Sequence, residues 1–318
     1  MKHATTSRTK RQRHVLVVCV ATLVFVVVIV AALLRSTPTT PSSAAPTTSA
    51  GSTSATVNAF YLAIGGSSSL GFQPTGIPHF NGHRTDTGYV NDIAAIEGAR
   101  GVNLSIRQIG CPGETAQSML LTGDACYKPP GRQIRAATIY LAQHFNDVGL
   151  VTIDIGFNDV RKCMLTPIVD LACAQQGIAY VRSDFPAVVR TLVAAAGPHV
   201  HFIGLLSEDP FLADYVNPAS GATQANQTLS VLTQLNAVLS SVYFANKVPM
   251  ANVPGAFQSG NQTPVSTKSF GVVPTNVANA CSWTWMCTPP PFGPDDHPNN
   301  AGYRVIANAV VAVLPKHW

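Results

Sequence analysis

Four segments of the 318-residue chain carry side chains suited to acyl transfer. Ser67 lies in GGSSSLG, residues 65–71, directly after the apolar run AFYLAI. His297 lies in DDHPNNAGYRVIA, residues 295–307, behind two aspartates and ahead of an apolar helical pattern. A serine hydroxyl becomes a competent nucleophile when an imidazole takes its proton, and a carboxylate such as Asp295 can hold that imidazole in the required tautomer. The other two segments are GCPGET, residues 110–115, and GFND, residues 156–159. They supply a glycine N–H at Gly113 and a side-chain amide at Asn158, donors able to hold the oxyanion of a tetrahedral intermediate. Each feature alone has a plainer explanation: a serine or asparagine after a strand commonly caps a helix or closes a turn, and an isolated loop histidine is usually solvated. The combination along one chain points to a serine hydrolase.

These side chains converge only if strand ends bring them together. Apolar runs of strand length cover Ala59–Ile64, Val102–Ile106, Leu150–Ile155 and Val200–Leu206, and each gives way to polar or turn-forming residues. Helical patterns occupy Asp86–Arg100, Gln133–Asn146, Asp184–Ala196 and Ala222–Phe244, the last with Leu229, Leu232, Leu235 and Leu239 spaced by three and four. A further short strand is expected at Val248–Val253. This alternation predicts right-handed crossovers in a mainly parallel sheet covered by helices on both faces, a three-layer α/β/α sandwich. In such sheets the loops beyond the C-terminal strand ends gather at one edge, which makes the polar residues after these runs candidates for a single site.

Taken in order, the four segments resemble the SGNH, or GDSL, hydrolases, and especially their secreted actinobacterial lipase-like and esterase-like members. The family's GDSxxxG block is matched by Gly65, Gly66, Ser67 and Gly71, the glycine of its second block by Gly113, and its GxND block by Gly156, Asn158 and Asp159. Its final DxxHP block falls on His297. The resemblance covers roughly residues 58–314. It implies a flavodoxin-like SGNH hydrolase fold, Ser67 as nucleophile, His297 as general base, and an oxyanion held by Asn158 with the backbone N–H groups of Gly113 and Ser67. Two positions depart from the pattern. Gly66 replaces the aspartate of GDS, and Pro294 stands where the family's catalytic acid is found, three residues before the histidine. Asp295 is the acid expected to orient His297, with Asp296 or a Ser-His dyad assisted by a backbone carbonyl as the alternatives. The implied activity is that of a serine esterase or lipase-like hydrolase cleaving carboxylic esters through an acyl-enzyme. A polysaccharide O-acetylesterase, an acyltransferase and a non-catalytic stalked binding module with a degenerate site are the alternative readings. Acyl transfer to water needs no cofactor.

Composition fits such a domain. Apolar residues make up 46% of the chain and charged residues 11%, enough to bury a sizeable core and too apolar for disorder throughout. Six of the 20 lysines and arginines lie in residues 1–35, leaving 14 positive against 15 negative charges beyond, so nucleic acid is excluded as a partner of the folded part. The basic tail of residues 1–14 precedes 20 uncharged residues, 15–34, which as a helix would extend roughly 30 Å, the hydrocarbon thickness of a bilayer. A single-pass signal anchor with an extracytoplasmic C-terminal domain is expected, or a secreted protein if the segment is cleaved. Residues 35–57 form a Ser/Thr/Pro/Ala-rich linker, and the hydrolase-like domain is placed at 58–318. The expected partners are an ester-bearing small molecule, lipid or acylated glycan, and the membrane through the N-terminal helix.

Six cysteines fall on the outer side, and Cys111 with Cys126, Cys163 with Cys173, and Cys281 with Cys287 are the simplest disulfide pairings. Neither these nor the scattered histidines have metal-site spacing. Trp283, Trp285 and Phe292 near His297 are read either as ligand contacts or as local packing.

Overall fold

Strands that are apolar on both sides must be buried between two layers, and the computed structural model shows where those layers lie. It describes residues 57–316 apart from 77–81, 124, 128–131, 166–167 and 220. The expected basic tail, the membrane-spanning segment 15–34 and nearly all of the linker lie outside the described residues. The elements are β1 (Val57–Gly65), α1 (Tyr89–Gly98), β2 (Val102–Gln108), α2 (Gln133–Gln143), β3 (Val148–Asp154), α3 (Phe157–Arg161), α4 (Leu171–Ala195) and β4 (His201–Leu205). There follow α5 (Gly221–Ala245), β5 (Met250–Ala251), α6 (Val253–Ala256), β6 (Pro264–Thr267), β7 (Gly271–Pro274), α7 (Thr275–Trp283) and α8 (Asn300–Val311). Val57, placed at the end of the linker by sequence, is already the first residue of β1 and pairs with Val102.

The main sheet has the order β2-β1-β3-β4-β5 with every pairing parallel. This is the flavodoxin-like order, and the expected three-layer sandwich is the observed one. Alternation along the strands feeds two cores. Leu62, Ile64, Val151 and Ile153 pack with Ile134 and Leu141 of α2, Val181 and Phe185 of α4, and Leu235 and Leu239 of α5. Tyr61, Ala63, Leu150 and Ile203 pack on the other face with Tyr89 and Ile93 of α1 and Tyr303, Ile306 and Val310 of α8. Among the described residues α5 alone is long and apolar enough to cross a membrane, but Leu232, Leu235 and Leu239 make it a core helix.

Some elements differ from the sequence reading. α4 begins at Leu171 rather than near Asp184, capped by the Asp170 carboxylate accepting from Cys173 N–H, and it runs through Pro186. The strand expected at Val248–Val253 is reduced to Met250–Ala251 because Asn252 caps α6. The antiparallel hairpin β6–β7 was not anticipated. The chain reversals that matter chemically lie after β1, β2 and β3, at one edge of the sheet, with the segment before α8 closing over them.

Candidate active site

The turn that carries Ser67 is held by its backbone. β1 ends on Gly65, whose N–H donates to Gln133 Oε1 at 2.9 Å and whose carbonyl accepts from Gln133 Nε2 at 3.0 Å. The same carbonyl accepts from Cys111 N–H at 2.9 Å, and Gln133 Nε2 also donates to Glu114 Oε2 at 2.8 Å. Ser69 Oγ donates to the Gly66 carbonyl at 2.7 Å. Ser67 therefore heads a short 3-10 turn, Ser68–Leu70, with Gly65 clamped by α2 and by the loop after β2 and Gly66 held by Ser69 and by the Asp154 carbonyl. Gln133 is fully buried, yet nothing in its local sequence marked it, because its partners lie 68 and 19 residues away.

His297 reaches Ser67 across 230 residues of chain, with Nε2 2.7 Å from Oγ. Its Nδ1 lies 2.7 Å from Asp295 Oδ1, which also accepts the His297 backbone N–H at 3.0 Å. Two opposing influences act on each partner. Burial alone would lower the imidazole pKa, but the hydrogen bond to Asp295 and the charges of Asp296 and Asp295 outweigh it and raise His297 above its ordinary value. Burial alone would raise Asp295, but the hydrogen bond and charge of His297, with the charge of Arg161, hold it below the usual carboxylate range. An ionised Asp295 can only accept, so the shared proton sits on Nδ1 and leaves Nε2 free to accept from the serine hydroxyl. Asp296 makes no hydrogen bond to the ring: Arg161 grips it with Nε on Oδ2 and with Nη2 on Oδ1, the latter at 3.0 Å. Of the two acids left open by sequence, Asp295 is the one hydrogen-bonded to His297, and Pro294 is no obstacle because the carboxylate comes from the next residue.

The oxyanion side is less uniform. Asn158 lines a small cavity of about 40 Å³ together with Ser67 and His297, and its Nδ2 donates one hydrogen to the Glu114 carbonyl at 3.1 Å. Gly113 sits beside that anchor in an exposed turn at φ +81°, closed by Glu114 N–H on the Cys111 carbonyl, but it does not line the cavity. Asp159 ties the two segments together by accepting Ala116 N–H at 3.1 Å, and burial pushes its pKa up to about 7. Gly66 is the departure with a physical reason: a Cβ there would lie 2.8 Å from Asn158 Nδ2.

A second cleft of about 730 Å³ opens onto His297. Its walls include Phe72, Met164, Leu165, Phe211, Phe270 and Met286, so it is largely apolar. The aromatic residues singled out by sequence do not line it. Trp283 packs edge-on to Phe257 at 5.3 Å and Trp285 stacks on Phe292 at 6.1 Å, which decides for local packing. Phe72, whose ring lies 5.1 Å from that of His297, Phe211, stacked on Phe157, and Phe270 are the aromatics at the cleft. All three expected disulfides are present, and Cys287 of the Cys281–Cys287 bridge reaches the cleft wall. Among the described residues, Asp295, Asp296 and His297 bring metal-type ligand atoms within 4.8 Å of one another, but those atoms are committed to Ser67, to Arg161 and to each other.

Two solved structures are similar to this chain in fold. An extracellular lipase from Streptomyces rimosus shares 18% identity over 79% of this chain and 99% of its own, with a TM-score of 0.52. Phospholipase A1 from Streptomyces albidoflavus NA297 shares 18% identity over the same fractions of the two chains, with a TM-score of 0.50. No curated protein is significantly similar in sequence. The GDSL-like lipase/acylhydrolase family matches residues 63–305, most of the chain and all four segments, and the chain belongs to this family of serine hydrolases.

Proposed function

We propose that Ser67 is the nucleophile of an ester hydrolase, His297 its general base and Asp295 the acid that orients the base. The observation that carries this reading is the unbroken chain of 2.7 Å contacts from Ser67 Oγ through the imidazole to Asp295, at the mouth of a mainly apolar cleft. His297 Nε2 takes the hydroxyl proton as Oγ attacks the ester carbonyl. The tetrahedral oxyanion is held by the free hydrogen of the Asn158 amide and the N–H group of Ser67, while Gly113, outside the small cavity, is left without that role. The imidazolium then protonates the departing alkoxide, and the base is regenerated to draw a proton from the water that cleaves the acyl-enzyme.

The cleft suits an acyl chain longer than acetyl. Each methylene buried there contributes about 0.8 kcal/mol, about fourfold in kcat/KM. With p-nitrophenyl acetate, butyrate and octanoate, kcat/KM is expected to rise with chain length and to vanish in Ser67→Ala. A folded Ser67→Ala protein with parental turnover would remove Ser67 from the role, and a preference for acetate would favour the O-acetylesterase reading. In the same reading the domain works outside the cytoplasmic membrane, held by residues 15–34 and spaced from the bilayer by residues 35–57. The pairing of six cysteines into three disulfides supports an oxidising compartment.

A further inference from the structure

Two consecutive carboxylates face one ring nitrogen of His297. Asp295 Oδ1 is 2.7 Å from Nδ1, and Asp296 Oδ1 is 3.8 Å from the same atom. Nδ1 carries a single hydrogen, so one acid at a time can hold the ring. We infer that Arg161 is a positioning residue that withdraws Asp296 from this competition and so selects Asp295 as the partner of the base; this rests on the assignment of His297 as general base.

The geometry is that of a fork on a carboxylate. Arg161 engages both oxygens of Asp296, a bidentate arrangement that fixes direction as well as charge. The acid's side chain is nearly fully buried, at 4% exposure, while the Arg161 side chain is 36% exposed, so the pair is anchored from the buried side. Arg161 is the last residue of α3, and Asn158 stands three residues earlier on the same helix. The ion pair therefore ties the helix bearing the oxyanion amide to the loop bearing the base, and Arg161, Asp296 and His297 line both cavities.

Other elements also face the imidazole. Ser67 approaches from the turn after β1, Phe72 lies against the ring, and Asp154 at the end of β3 and Glu208 after β4 line the same small cavity. Among these groups Arg161 supplies the positive charge, and it opposes the carboxylates in setting the proton affinity of His297. Without it, Asp296 becomes a second anion beside the ring, free to draw the Nδ1 hydrogen away from Asp295 and to hold the imidazole protonated at higher pH.

The test is the pH–rate profile of the full chain with p-nitrophenyl butyrate. Arg161→Gln is expected to move the acid limb up by about one pH unit and to lower kcat about tenfold with KM nearly unchanged. Adding Asp296→Asn to Arg161→Gln removes the competitor, and is expected to bring the limb back to the parental position or below and to restore most of kcat. A double variant no better than Arg161→Gln, or an acid limb that Arg161→Gln leaves in place, would overturn the inference. Should Arg161→Gln fail to fold, Asp296→Asn alone must move the limb down, and an unmoved limb counts against the selector. Absence of Ser67-dependent turnover in the parent would instead sink the hydrolase assignment. NMR titration of His297 in the same set of variants would then still decide whether Arg161 controls the ring.

Discussion

At the scale of single residues, a change that restores a familiar motif is expected to do harm. Gly66 leaves no room for a side chain beside Asn158 Nδ2, so Gly66→Asp must push that amide from its place. Displacing an oxyanion donor costs up to about a hundredfold in kcat. Steady-state kinetics of Gly66→Asp should show this loss in a protein whose thermal unfolding stays cooperative; unchanged kcat would mean the Asn158 amide is not the donor. Ser67, Asn158 and His297 were legible through their order along the chain, each in a loop after an apolar run or before a helical one, although each residue alone is ordinary in such a loop. Asp295 was legible as one of two acids, and only the three-dimensional arrangement separates it from Asp296. Arg161 and Gln133 were not legible. An arginine at the end of a short helix and a glutamine at the start of another are ordinary surface choices, and their partners lie 135 and 68 residues away.

At the scale of elements, α2 does more than cover the sheet. Through Gln133 it supplies a donor and an acceptor to the Gly65 peptide groups and a donor to Glu114, and so fixes the turn ahead of Ser67. Gln133→Ala removes these three buried hydrogen bonds and is expected to lower the unfolding free energy by about 2 kcal/mol, with kcat falling as the turn loosens. Urea unfolding of this variant beside a surface change such as Arg135→Ala would check it, and equal stabilities would refute the clamp. The central strands were read correctly because residues buried on both faces give unbroken apolar runs. β6–β7 escaped because a four-residue pair opening and closing on Pro264 and Pro274 lacks that signature. The first half of α4 escaped because Gly177, which packs against the Asp159 backbone, reads locally as a break, while Pro186, two residues after Asp184, reads as part of the first turn of a helix starting there.

For the whole molecule, stability and turnover should run in opposite directions with pH. Burial pushes Asp154 up to about 6, Asp159 and Asp209 to about 7, and Glu208 to about 8. Unfolded carboxyls release their protons near pH 4, so from about pH 4 to about pH 8 the folded state holds more protons and stability falls as pH rises. His297, raised by Asp295 against its burial, adds to this trend as pH rises through its folded value. Asp295, held low, opposes it only below the ordinary carboxylate range, where its contribution is lost as pH falls. Tm is therefore expected to be higher near pH 5 than near pH 8, whereas hydrolysis requires neutral His297 and favours the alkaline side. Calorimetric scans across this range would contradict the expectation if Tm rose with pH.

The 230-residue interval between Ser67 and His297 also has a meaning in time. In the proposed assignment the ribosome releases the nucleophile with the first strand of the domain and its base only just ahead of α8. A nascent chain thus carries its serine without the means to activate it, and no ester is cut while synthesis is under way. In that assignment hydrolysis begins only when the loop ahead of α8 docks against the turn after β1, so the place where this segment folds is the place where turnover starts.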